Sequence, residues 1–289
     1  MPDPLSRAEV IIEALPYIRA FHGKMVVVKY GGNAMVDPAL TMAVMQDLIL
    51  MALVGMQPVV VHGGGPQIDQ AMKSSGLKPY FVQGLRITDP DTMRIVERVL
   101  VGEINQEIVA GITRLGGSAI GLSGKDGGMV QARKAPARIL PDGQRVDLGL
   151  VGEVVRVTPR PLETLLQAGY IPVVAPTAGD EAGNTYNINA DLVAGEIAAA
   201  LRAEKLVLLT DTDGILDARG ALLSTLTREE VDRLVAETTI SKGMLPKVAA
   251  CRTALCGGVR KTHIINGTRP HALLEELLTA GGVGTEILP

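Results

Sequence analysis

Two valine-rich segments each lead directly into glycines that stand beside a single polar residue. The first is VVVKYGGNA, at 26–34, which carries Lys29, and the second is VVVHGGGP, at 59–66. Short β-branched runs are typical of strands buried on both faces. Glycines after such a strand allow backbone N–H groups to converge on an anion, and a helix that follows adds its positive end. Together the two junctions predict an α/β enzyme that binds phosphate or carboxylate groups.

The composition excludes several other classes of protein. With 289 residues, 47% hydrophobic and 20% charged, the chain can bury a large core as one α/β domain or as two lobes. The formal net charge of −3 gives no basic field for nucleic acid or an anionic membrane. Aromatic residues make up 2% of the chain and include no tryptophan, so stacking platforms for single-stranded nucleic acid are missing. We therefore expect a small substrate.

The cysteines and the N-terminal residues indicate a cytoplasmic protein. Cys251 and Cys256 lie in a predicted helix at a spacing that matches neither a zinc pair nor a redox CxxC motif. The first residues carry Asp3, Arg7 and Glu9 among apolar ones, so they lack the uninterrupted apolar stretch of a signal peptide. No run reaches the roughly 20 apolar residues that a membrane-spanning helix needs.

The order of apolar runs and helical periods predicts strands that alternate with helices. Asp37-Pro38 and Asp89-Pro90 are each typical of an N-cap followed by the first helical residue, and the second pair predicts one helix up to Gly116-Gly117. Recurring strand, helix, strand units predict a mainly parallel sheet covered by helices. Residues 118–157 depart from this pattern. Their Asp-Gly turns between short alternating segments predict an antiparallel β-hairpin flap.

We predict three units along the chain. Residues 1–22 are amphipathic and interrupted by Pro16, which indicates a kinked helical extension, either a surface-packing segment or an oligomerisation arm. The loop Ala178-Gly179-Asp180-Glu181 marks a soft boundary. It divides the rest of the chain into a first lobe, 23–178, and a second lobe, 179–289.

The common nucleotide-binding motifs are missing. The nearest approach to a P-loop is Gly124-Lys125, but Ala119 and Asp126 stand where glycine and a hydroxyl residue are required. No clean G-x-G-x-x-G motif follows a strand either. The chain is therefore predicted to be neither a P-loop NTPase nor an ordinary dinucleotide enzyme, and its phosphate-binding architecture must be a different one.

Six motifs, in chain order and across nearly the whole sequence, resemble those of the amino acid kinase family. They are VVKYGGNAM, VVVHGGGPQID, GLRITD, NINADLVAGEIA, LLTDTDGIL and ISKGMLPKV. LRITDPDTMRIVERVLVGEINQEIV and AIGLSGKDG favour the members that act on N-acetyl-L-glutamate. The resemblance implies a three-layer αβα sandwich, a first lobe that binds the acylated amino acid and a second that binds MgATP. It also implies a homodimer whose central sheet runs through both subunits.

The implied reaction, ATP-dependent phosphorylation of a γ-carboxylate in arginine biosynthesis, agrees with the residues present. A carboxylate with a pKa of about 4.3 is already ionised and needs no base. Because two negatively charged groups must meet, catalysis requires positioning and cations on the transferred oxygens. By resemblance, Lys29 and Lys247 are these catalytic cations and Asp191 orients both. The alternative for a single lysine is a solvated side chain, and the alternative for Asp191 is a first-turn acid that favours the helix dipole. Lys29, however, ends a buried run of valines, where a lysine without an anionic partner is costly.

The resemblance also implies a substrate site, formed by Gly64, Gly65, Arg86 and Asn187. The two glycine amides would hold the γ-carboxylate, and asparagine would bond the N-acetyl amide. Arginine suits the α-carboxylate because its planar fork matches a carboxylate with two hydrogen bonds. The alternative for Arg86 is a salt bridge at the rim with Asp89 or Asp91.

The nucleotide residues implied by the resemblance are Gly31, Gly32, Asp211, Thr212, Asp213, Gly214 and Gly243. The first two would supply amides near the β- and γ-phosphates, with Asn33 as a weaker candidate. The strand-end loop TDTDGIL and residues 239–243 would surround the adenosine. Lys242 departs from the small residue expected there and either contacts a phosphate or faces water. Mg²⁺ is expected to be bound mainly by ATP oxygens and water, so no protein ligand is named.

The N-terminal extension resembles that of arginine-inhibited members of the family. In those members kinked N-terminal helices interlace three dimers into a hexameric ring. The arginine contacts implied are Tyr17, His263, Glu276 and Gly284. The alternative is that these four residues have only structural roles: a packed tyrosine, a core histidine, a solvated acid on a helix and a glycine in a loop.

Competing functions remain at this point. A sister kinase for acetylaminoadipate or another carboxylate would share the lysines and differ around Arg86 and Asn187. The contexts GLRITD and NINAD speak against carbamate, aspartate and UMP kinases. A catalytically silent arginine-sensing module is the alternative from another class. Retention of Lys29, Asp191 and Lys247 together argues against it, because a sensor would not require all three.

Overall fold

The computed structural model describes residues 4–140 and 142–289, with side chains described from residue 9. Residues 1–3 of the predicted extension lie outside the described chain. The helices are α1 (Pro4–Glu13), α2 (Leu15–Phe21), α3 (Pro38–Leu53), α4 (Gly65–Ser74), α5 (Pro90–Glu97), α6 (Asn105–Arg114), α7 (Arg160–Gln167), α8 (Ala190–Leu201), α9 (Arg228–Ala236), α10 (Leu245–Cys256) and α11 (Ala272–Leu278). Three short 3₁₀ segments add to these in the described chain: Gly32–Met35, Asp126–Gly128 and Lys242–Met244.

Within the described chain, the strands form a central sheet of eight strands, a smaller sheet of four strands and two separate two-stranded sheets. They are β1 (Met25–Tyr30), β2 (Gln57–His62), β3 (Phe81–Val82), β4 (Leu85–Arg86), β5 (Ala119–Ser123), β6 (Val130–Lys134), β7 (Arg138–Ile139), β8 (Arg145–Val146), β9 (Gly152–Val157), β10 (Ile171–Ala175), β11 (Thr177–Gly179), β12 (Thr185–Asn187), β13 (Lys205–Thr210), β14 (Thr225–Thr227), β15 (Lys261–Asn266) and β16 (Thr285–Leu288). Within the described chain, the central sheet has eight strands in the order β14-β16-β15-β13-β1-β2-β10-β5.

The central sheet is parallel except where β16 pairs with β15. Alternate residues of β1 face opposite cores: Val26 and Val28 pack with residues of α3 to α6, whereas Val27 packs with residues of α7, α8 and α10. Helices therefore cover both faces of the sheet. The predicted three-layer αβα sandwich with a mainly parallel central sheet is confirmed.

The register of the central strands brings the two glycine junctions together. Lys29 of β1 pairs with Val61 of β2, and Tyr30 pairs with His62, so both strands end at the same level. On the other side of β1, Lys29 pairs with Leu208 of β13. The carboxyl ends of β1, β2 and β13 thus meet at one edge, where parallel α/β sheets bind ligands.

The flap is smaller than predicted. In the smaller sheet, β6 and β9 pair antiparallel. β7 and β8 form a short hairpin that is a separate two-stranded sheet. Residues Ala119–Ser123 were expected in the flap, but they form β5, the edge strand of the central sheet, parallel to β10. A Cβ on Gly121 would lie 1.9 Å from Oδ1 of Asn105 on α6. This glycine therefore serves close packing of strand against helix, not a turn.

The helical run after Asp89 contains a wider segment. Asp37 and Asp89 cap α3 and α5 as predicted. The expected single helix is continuous from α5 to α6, but its centre, Arg98–Ile104, is a π-helix. Such insertions are uncommon and occur often at functional sites.

The N-terminal extension consists of α1 and α2, with Pro16 in the first turn of α2. Val10, Ile11 and Ile12 on α1 are mostly exposed. The predicted lobe boundary after residue 178 falls within β11, and the division into lobes remains a prediction. No helix in the described part of the chain has both the length and the apolar composition to cross a membrane.

Candidate active site

A cavity of about 220 Å³ lies where β1 and β2 end. Its wall combines residues of both halves of the chain and includes seven of the predicted site residues: Lys29, Gly32, Gly64, Gly65, Arg86, Asn187 and Asp191.

Asp191 lies between the two predicted catalytic lysines. Nζ of Lys29 is 3.1 Å from its Oδ1, as an ion pair outside hydrogen-bond geometry, and Nζ of Lys247 donates a hydrogen bond of 3.1 Å to its Oδ2. Burial pushes the pKa of Asp191 upward, but the two ammonium groups outweigh burial and hold it below its ordinary value. The carboxylate therefore stays ionised and holds both cations. Lys29 and Asp191 line the cavity, whereas Lys247 is not among its lining residues and reaches it only through Asp191.

Three separate elements deliver these charges. Lys29 ends β1, Asp191 lies in the first turn of α8, and Lys247 lies in the first turn of α10. Asn189 caps α8 by accepting hydrogen bonds from the backbone N–H groups of Asp191 and Leu192. The three side chains meet only because α8 and α10 pack together on the same face of the sheet.

Gly31 makes room for the Lys29 side chain. Its backbone is extended, with φ −178°, so any residue could adopt its conformation. However, a Cβ on Gly31 would lie 2.7 Å from Nζ of Lys29. A side chain at position 31 would therefore displace the ammonium group from this position. The prediction of a phosphate-binding amide did not include this role.

Arg86 lies on the opposite wall and is buried. Its Nη1 donates to Oδ1 of Asp69 on α4 at 2.5 Å, and Nη2 donates to the carbonyl oxygen of Gly65 at 3.3 Å. The alternative of a rim salt bridge with Asp89 or Asp91 is wrong. Asp89 instead caps α5 through the N–H of Thr92, and Asp91 pairs with Arg94.

Asn187 is positioned by its backbone and by a threonine. Its N–H donates to the carbonyl oxygen of Leu150 at 2.9 Å, and its Nδ2 donates to Oγ1 of Thr88 at 3.3 Å. The first bond ties β12 to the segment before β9, and the second ties it to the segment that follows β4. Asn187 thereby borders the same cavity as Arg86.

The predicted nucleotide residues lie at the carboxyl end of β13, next to β1. Asp211 accepts a hydrogen bond from the N–H of Asn33 at 2.8 Å, which ties the loop after β13 to the glycines after β1. Asp213 accepts from Nδ2 of Asn266 at 2.8 Å and lines a separate cavity of about 290 Å³. Thr212 Oγ1 donates to the Gly214 carbonyl oxygen at 3.4 Å. The carboxylate of Asp211, in the loop after β13, thus meets the backbone amide of Asn33, in the loop after β1.

Two glycines of the predicted nucleotide site have different surroundings. Gly214 is buried against Thr285, whose Oγ1 would be 2.6 Å from an added Cβ. Gly243 is exposed, in the 3₁₀ turn before α10, and an added Cβ would meet nothing within 4 Å. Its neighbour Lys242 has a φ of +48°, which glycine adopts freely and which accounts for the small residue expected there. Within the described chain, no group of three or more His, Cys, Asp or Glu residues is arranged to hold a metal ion.

A second cavity, of about 600 Å³, contains all four predicted arginine contacts: Tyr17, His263, Glu276 and Gly284. Oε1 of Glu276 lies 2.7 Å from Nδ1 of His263 and 3.4 Å from Nζ of Lys205, and Oε2 accepts from the N–H of Val283 at 2.8 Å. Burial raises the pKa of Glu276, but His263, the Val283 N–H and Lys205 together outweigh burial and hold the pKa below its ordinary value. The cavity therefore contains a buried carboxylate anion.

His62 is a site residue that the sequence did not reveal. It ends β2, is fully buried and lies directly before the glycines of the cavity. Nδ1 is 2.8 Å from the carbonyl oxygen of Gly63, and Nε2 is 3.2 Å from Nδ2 of Asn105. Burial lowers the pKa of His62 to about 4, although the Gly63 carbonyl works in the opposite direction. The imidazole is therefore neutral at physiological pH.

We expect His62 to make the fold sensitive to acid. Because its pKa is about 6.5 unfolded and about 4 folded, the unfolded chain binds more protons between these values and stability falls as pH falls through this window. From pH 7 to pH 5 the contribution is about 2 kcal/mol. Urea unfolding at both pH values, in wild type and His62→Asn, measures it. An equal loss of unfolding free energy in the two proteins would contradict the assignment.

Comparisons with known proteins agree on one family. The profile of the Amino acid kinase family matches residues 24–266. The chain is 56% identical over 292 residues to the acetylglutamate kinase of Moorella thermoacetica, which covers 99% of each chain. It is 54% identical over 294 residues to the acetylglutamate kinase of Heliobacterium modesticaldum, which covers 100% of each chain.

Solved structures with the same fold include synthases and kinases. N-acetylglutamate synthase from Neisseria gonorrhoeae, complexed with coenzyme A and N-acetyl-glutamate, superposes with a TM-score of 0.84 at 28% identity over 98% of this chain and 63% of its own. The chain thus spans less than two thirds of that synthase. The same synthase complexed with coenzyme A and L-arginine gives a TM-score of 0.80 at 26% identity, over 97% of this chain and 65% of its own. Carbamate kinase from Giardia lamblia bound to AMP-PNP gives 0.64 at 17% identity, over 92% and 98%, a likeness of fold alone.

Proposed function

The chain belongs to the amino acid kinase family, and on this basis we propose that it transfers the γ-phosphoryl group of ATP to the γ-carboxylate of N-acetyl-L-glutamate. The product is N-acetylglutamyl 5-phosphate, an intermediate of arginine biosynthesis in the cytoplasm. The observation that carries the proposal is the buried Asp191 carboxylate with an ammonium group 3.1 Å from each of its oxygens. Full-length relatives named acetylglutamate kinase supply the substrate.

The reaction needs positioned charge and no general base. The substrate carboxylate is ionised at neutral pH and attacks phosphorus directly, so no proton has to be removed. Lys29 and Lys247 stabilise the charge that the transferred oxygens carry between the two substrates. MgATP, when bound, supplies the phosphoryl group and a divalent cation that is coordinated mainly by its own oxygens and water. Asp191 fixes the lysines while it stays away from the transferred group.

The amino acid substrate is proposed to bind in the cavity of about 220 Å³. The amides of Gly64 and Gly65 hold its γ-carboxylate at the start of α4, where the helix dipole favours an anion. Arg86 binds the α-carboxylate, in exchange for part of its contact with Asp69, and Asn187 bonds the acetylated amide. The nucleotide is proposed to lie along Gly31, Gly32 and the loop after β13, with Gly243 beside the adenosine.

Replacing Arg86 by leucine is expected to raise the KM for acetylglutamate about 100-fold, because a charged hydrogen-bonding pair with the substrate is lost. The KM for ATP should change less than about 2-fold, since Arg86 borders only the amino acid cavity. Steady-state kinetics with each substrate varied measures both values. The matched control is Arg94→Leu, which removes an exposed arginine of α5 paired with Asp91. Equal effects of the two replacements would contradict the assignment.

We further propose that L-arginine inhibits the enzyme by binding in the second cavity. The cationic guanidinium group would contact Glu276, the buried carboxylate of that cavity, while Tyr17 and Phe21 of α2 cover it. Val283 and Gly284 border both this cavity and the cavity beside Asp213. A ligand that moves their loop would therefore also change the cavity beside the proposed nucleotide residues. The structure of the Neisseria gonorrhoeae synthase with L-arginine supports an arginine site on this fold.

The exposed apolar residues of α1 are proposed to join three dimers into a hexamer. A variant that lacks residues 1–22 should elute as a dimer in gel filtration, and its arginine inhibition constant should rise at least about 10-fold, because α2 is gone. Tyr17→Ala is the companion variant. It should remain hexameric and still bind arginine more weakly, which separates the cavity from the assembly. A full-length chain that is already a dimer contradicts the ring.

ATP-dependent ADP release on a panel of carboxylates tests the proposed function. The panel is acetylglutamate, acetylaminoadipate, glutamate and aspartate, each over a range of concentrations. The highest kcat/KM is expected for acetylglutamate. Preference for acetylaminoadipate would contradict the proposed substrate but not the proposed reaction. The absence of turnover with all four carboxylates would refute the kinase proposal.

A further inference from the structure

His62 is a buried polar residue that the proposed reaction does not use directly. It lies behind the glycine loop and is absent from the lining of the cavity formed by its neighbours Gly63, Gly64 and Gly65. Both of its ring nitrogens have partners, one on either side. An unpaired polar group at such a buried position would be costly, so this complete pairing indicates a defined orientation of the ring.

The hydrogen-bond partners fix the tautomer of His62. The carbonyl oxygen of Gly63 can only accept, so Nδ1 carries the proton and donates at 2.8 Å. Nδ2 of Asn105 can only donate, and its other acceptors are the carbonyl oxygens of Val173 at 2.9 Å and, more distantly, Leu122 at 3.4 Å. Nε2 of His62 therefore accepts from Asn105 at 3.2 Å. Protonation of Nε2 would set two donors against each other, in agreement with the lowered pKa of His62.

The bond to the Gly63 carbonyl sets the direction of the next N–H group. In a planar trans peptide, the C=O of one residue and the N–H of the next point in opposite directions, and the described chain has no cis peptide. The N–H of Gly63 is also fixed, because it donates to the carbonyl oxygen of Tyr30 at 2.7 Å. With Gly63 held on both sides, the N–H of Gly64 must point away from His62.

The π-helix closes the loop from the other side. A Cβ on Gly64 would lie 2.7 Å from Cδ2 of Leu100 and 2.5 Å from Cδ1 of Ile104, both in the Arg98–Ile104 segment. Asn105, which orients His62, is the residue directly after this segment. The π-helical segment thus packs closely against the glycine loop. The residue that follows the segment supplies the amide that holds the imidazole.

We propose that His62 is a positioning residue that orients the Gly63–Gly64 peptide so that the Gly64 N–H meets the carboxylate about to be phosphorylated. This inference rests on the proposed function. His62 does not touch the substrate and transfers no proton. It keeps one amide donor directed into the cavity, and Asn105 at the end of the π-helix holds the imidazole in the only tautomer that can do so.

Two replacements of nearly equal shape test the proposal. His62→Asn keeps an N–H donor near the position of Nδ1, whereas His62→Leu has none. Loss of one oriented donor should raise the KM for acetylglutamate about 10-fold in His62→Leu, with the KM for ATP within about 2-fold of wild type. In His62→Asn the KM for acetylglutamate should stay within about 3-fold of wild type. A purely structural role would change the KM values of both substrates alike.

Thermal unfolding and gel filtration first establish that each variant is folded. If both variants raise the KM for acetylglutamate equally, or if His62→Leu raises both KM values equally, the proposal is overturned. If His62→Leu does not fold, His62→Asn decides alone: a KM for acetylglutamate near wild type supports the proposal, and a rise of about 10-fold or more overturns it. Wild-type enzyme without turnover refutes the proposed function itself, and the inference then falls with it.

Discussion

Replacing Lys247 by alanine is expected to lower kcat about 1,000-fold and to leave the KM for acetylglutamate within about 3-fold of wild type. The ammonium group of Lys247 lies 3.1 Å from Asp191, which lines the cavity, and its contact with the transferred oxygens would exist only during transfer. Its loss therefore removes stabilisation of the transition state and little ground-state binding. Steady-state kinetics, with each substrate varied, measures both parameters.

The control for Lys247 comes from the same helix. Arg252 of α10 is exposed and pairs with Asp232 at 3.5 Å, so Arg252→Ala removes a cation from α10 without touching the cavity. Its kcat should stay close to that of wild type. If Lys247→Ala raised KM in proportion and kept kcat, Lys247 would be a binding residue and the proposed catalytic role would be wrong.

Replacing Asp191 by asparagine should damage stability and activity together. Asp191 is 5% exposed and is the partner of two largely buried ammonium groups, so its neutralisation leaves Lys29 and Lys247 facing each other without a counter-charge. Removing one partner from a buried ion pair costs about 3 kcal/mol or more of unfolding free energy. The lysines also lose their fixed position, and we expect kcat to fall about 100-fold. Urea unfolding and kinetics at pH 7.5 measure the two effects.

A second replacement separates these two effects of Asp191→Asn. In that background, Lys29→Met removes one of the repelling charges and should restore most of the unfolding free energy while kcat stays low. Asp232→Asn, an exposed carboxylate paired with Arg252, is the matched control and should change stability by less than about 1 kcal/mol. A stable and fully active Asp191→Asn enzyme would contradict the role assigned to this carboxylate.

The central sheet was predictable because its signals are local. Valine runs bounded by glycines indicated β1 and β2, and the Asp-Pro pairs located the starts of α3 and α5. Parallel register then places the ends of neighbouring strands together, so a lysine and two glycine loops were expected at one edge. Lys247 and Asp191 depended on the family resemblance, because helix-start lysines and first-turn acids are common and no local pattern relates positions 56 residues apart.

The sequence did not reveal the π-helix or β5, because neither has a local pattern that distinguishes it from an α-helix or a turn. Apolar residues recur throughout Arg98–Ile104, and no residue type in this segment marks a π turn, so the sequence indicated one regular α-helix. The glycine-rich stretch around Gly121 and Gly124 is typical of turns, yet both glycines serve close packing: a Cβ on Gly124 would lie 2.2 Å from the carbonyl oxygen of Thr177. A glycine required for packing and one required for a turn look the same in a single sequence.

The partners of Arg86 and His62 were also beyond local reasoning. Asp89 and Asp91 are near Arg86 in sequence, but the cap and first turn of α5 use both, and the ion pair forms with Asp69 on α4. No role could be assigned to His62 within the VVVHGGGP segment, because its hydrogen-bond partner Asn105 is 43 residues away. Such hydrogen-bond networks become visible only once the helices pack on the sheet.

The most direct test of the central claim is to trap the acyl phosphate. Enzyme, MgATP and N-acetyl-L-glutamate are incubated with hydroxylamine, which converts an acyl phosphate into a coloured hydroxamate. ATP-dependent hydroxamate is expected from wild type, little from Lys247→Ala, and the wild-type yield from Arg252→Ala. ADP release without any hydroxamate would contradict phosphorylation of the carboxylate, and equal yields from Lys247→Ala and wild type would contradict the site.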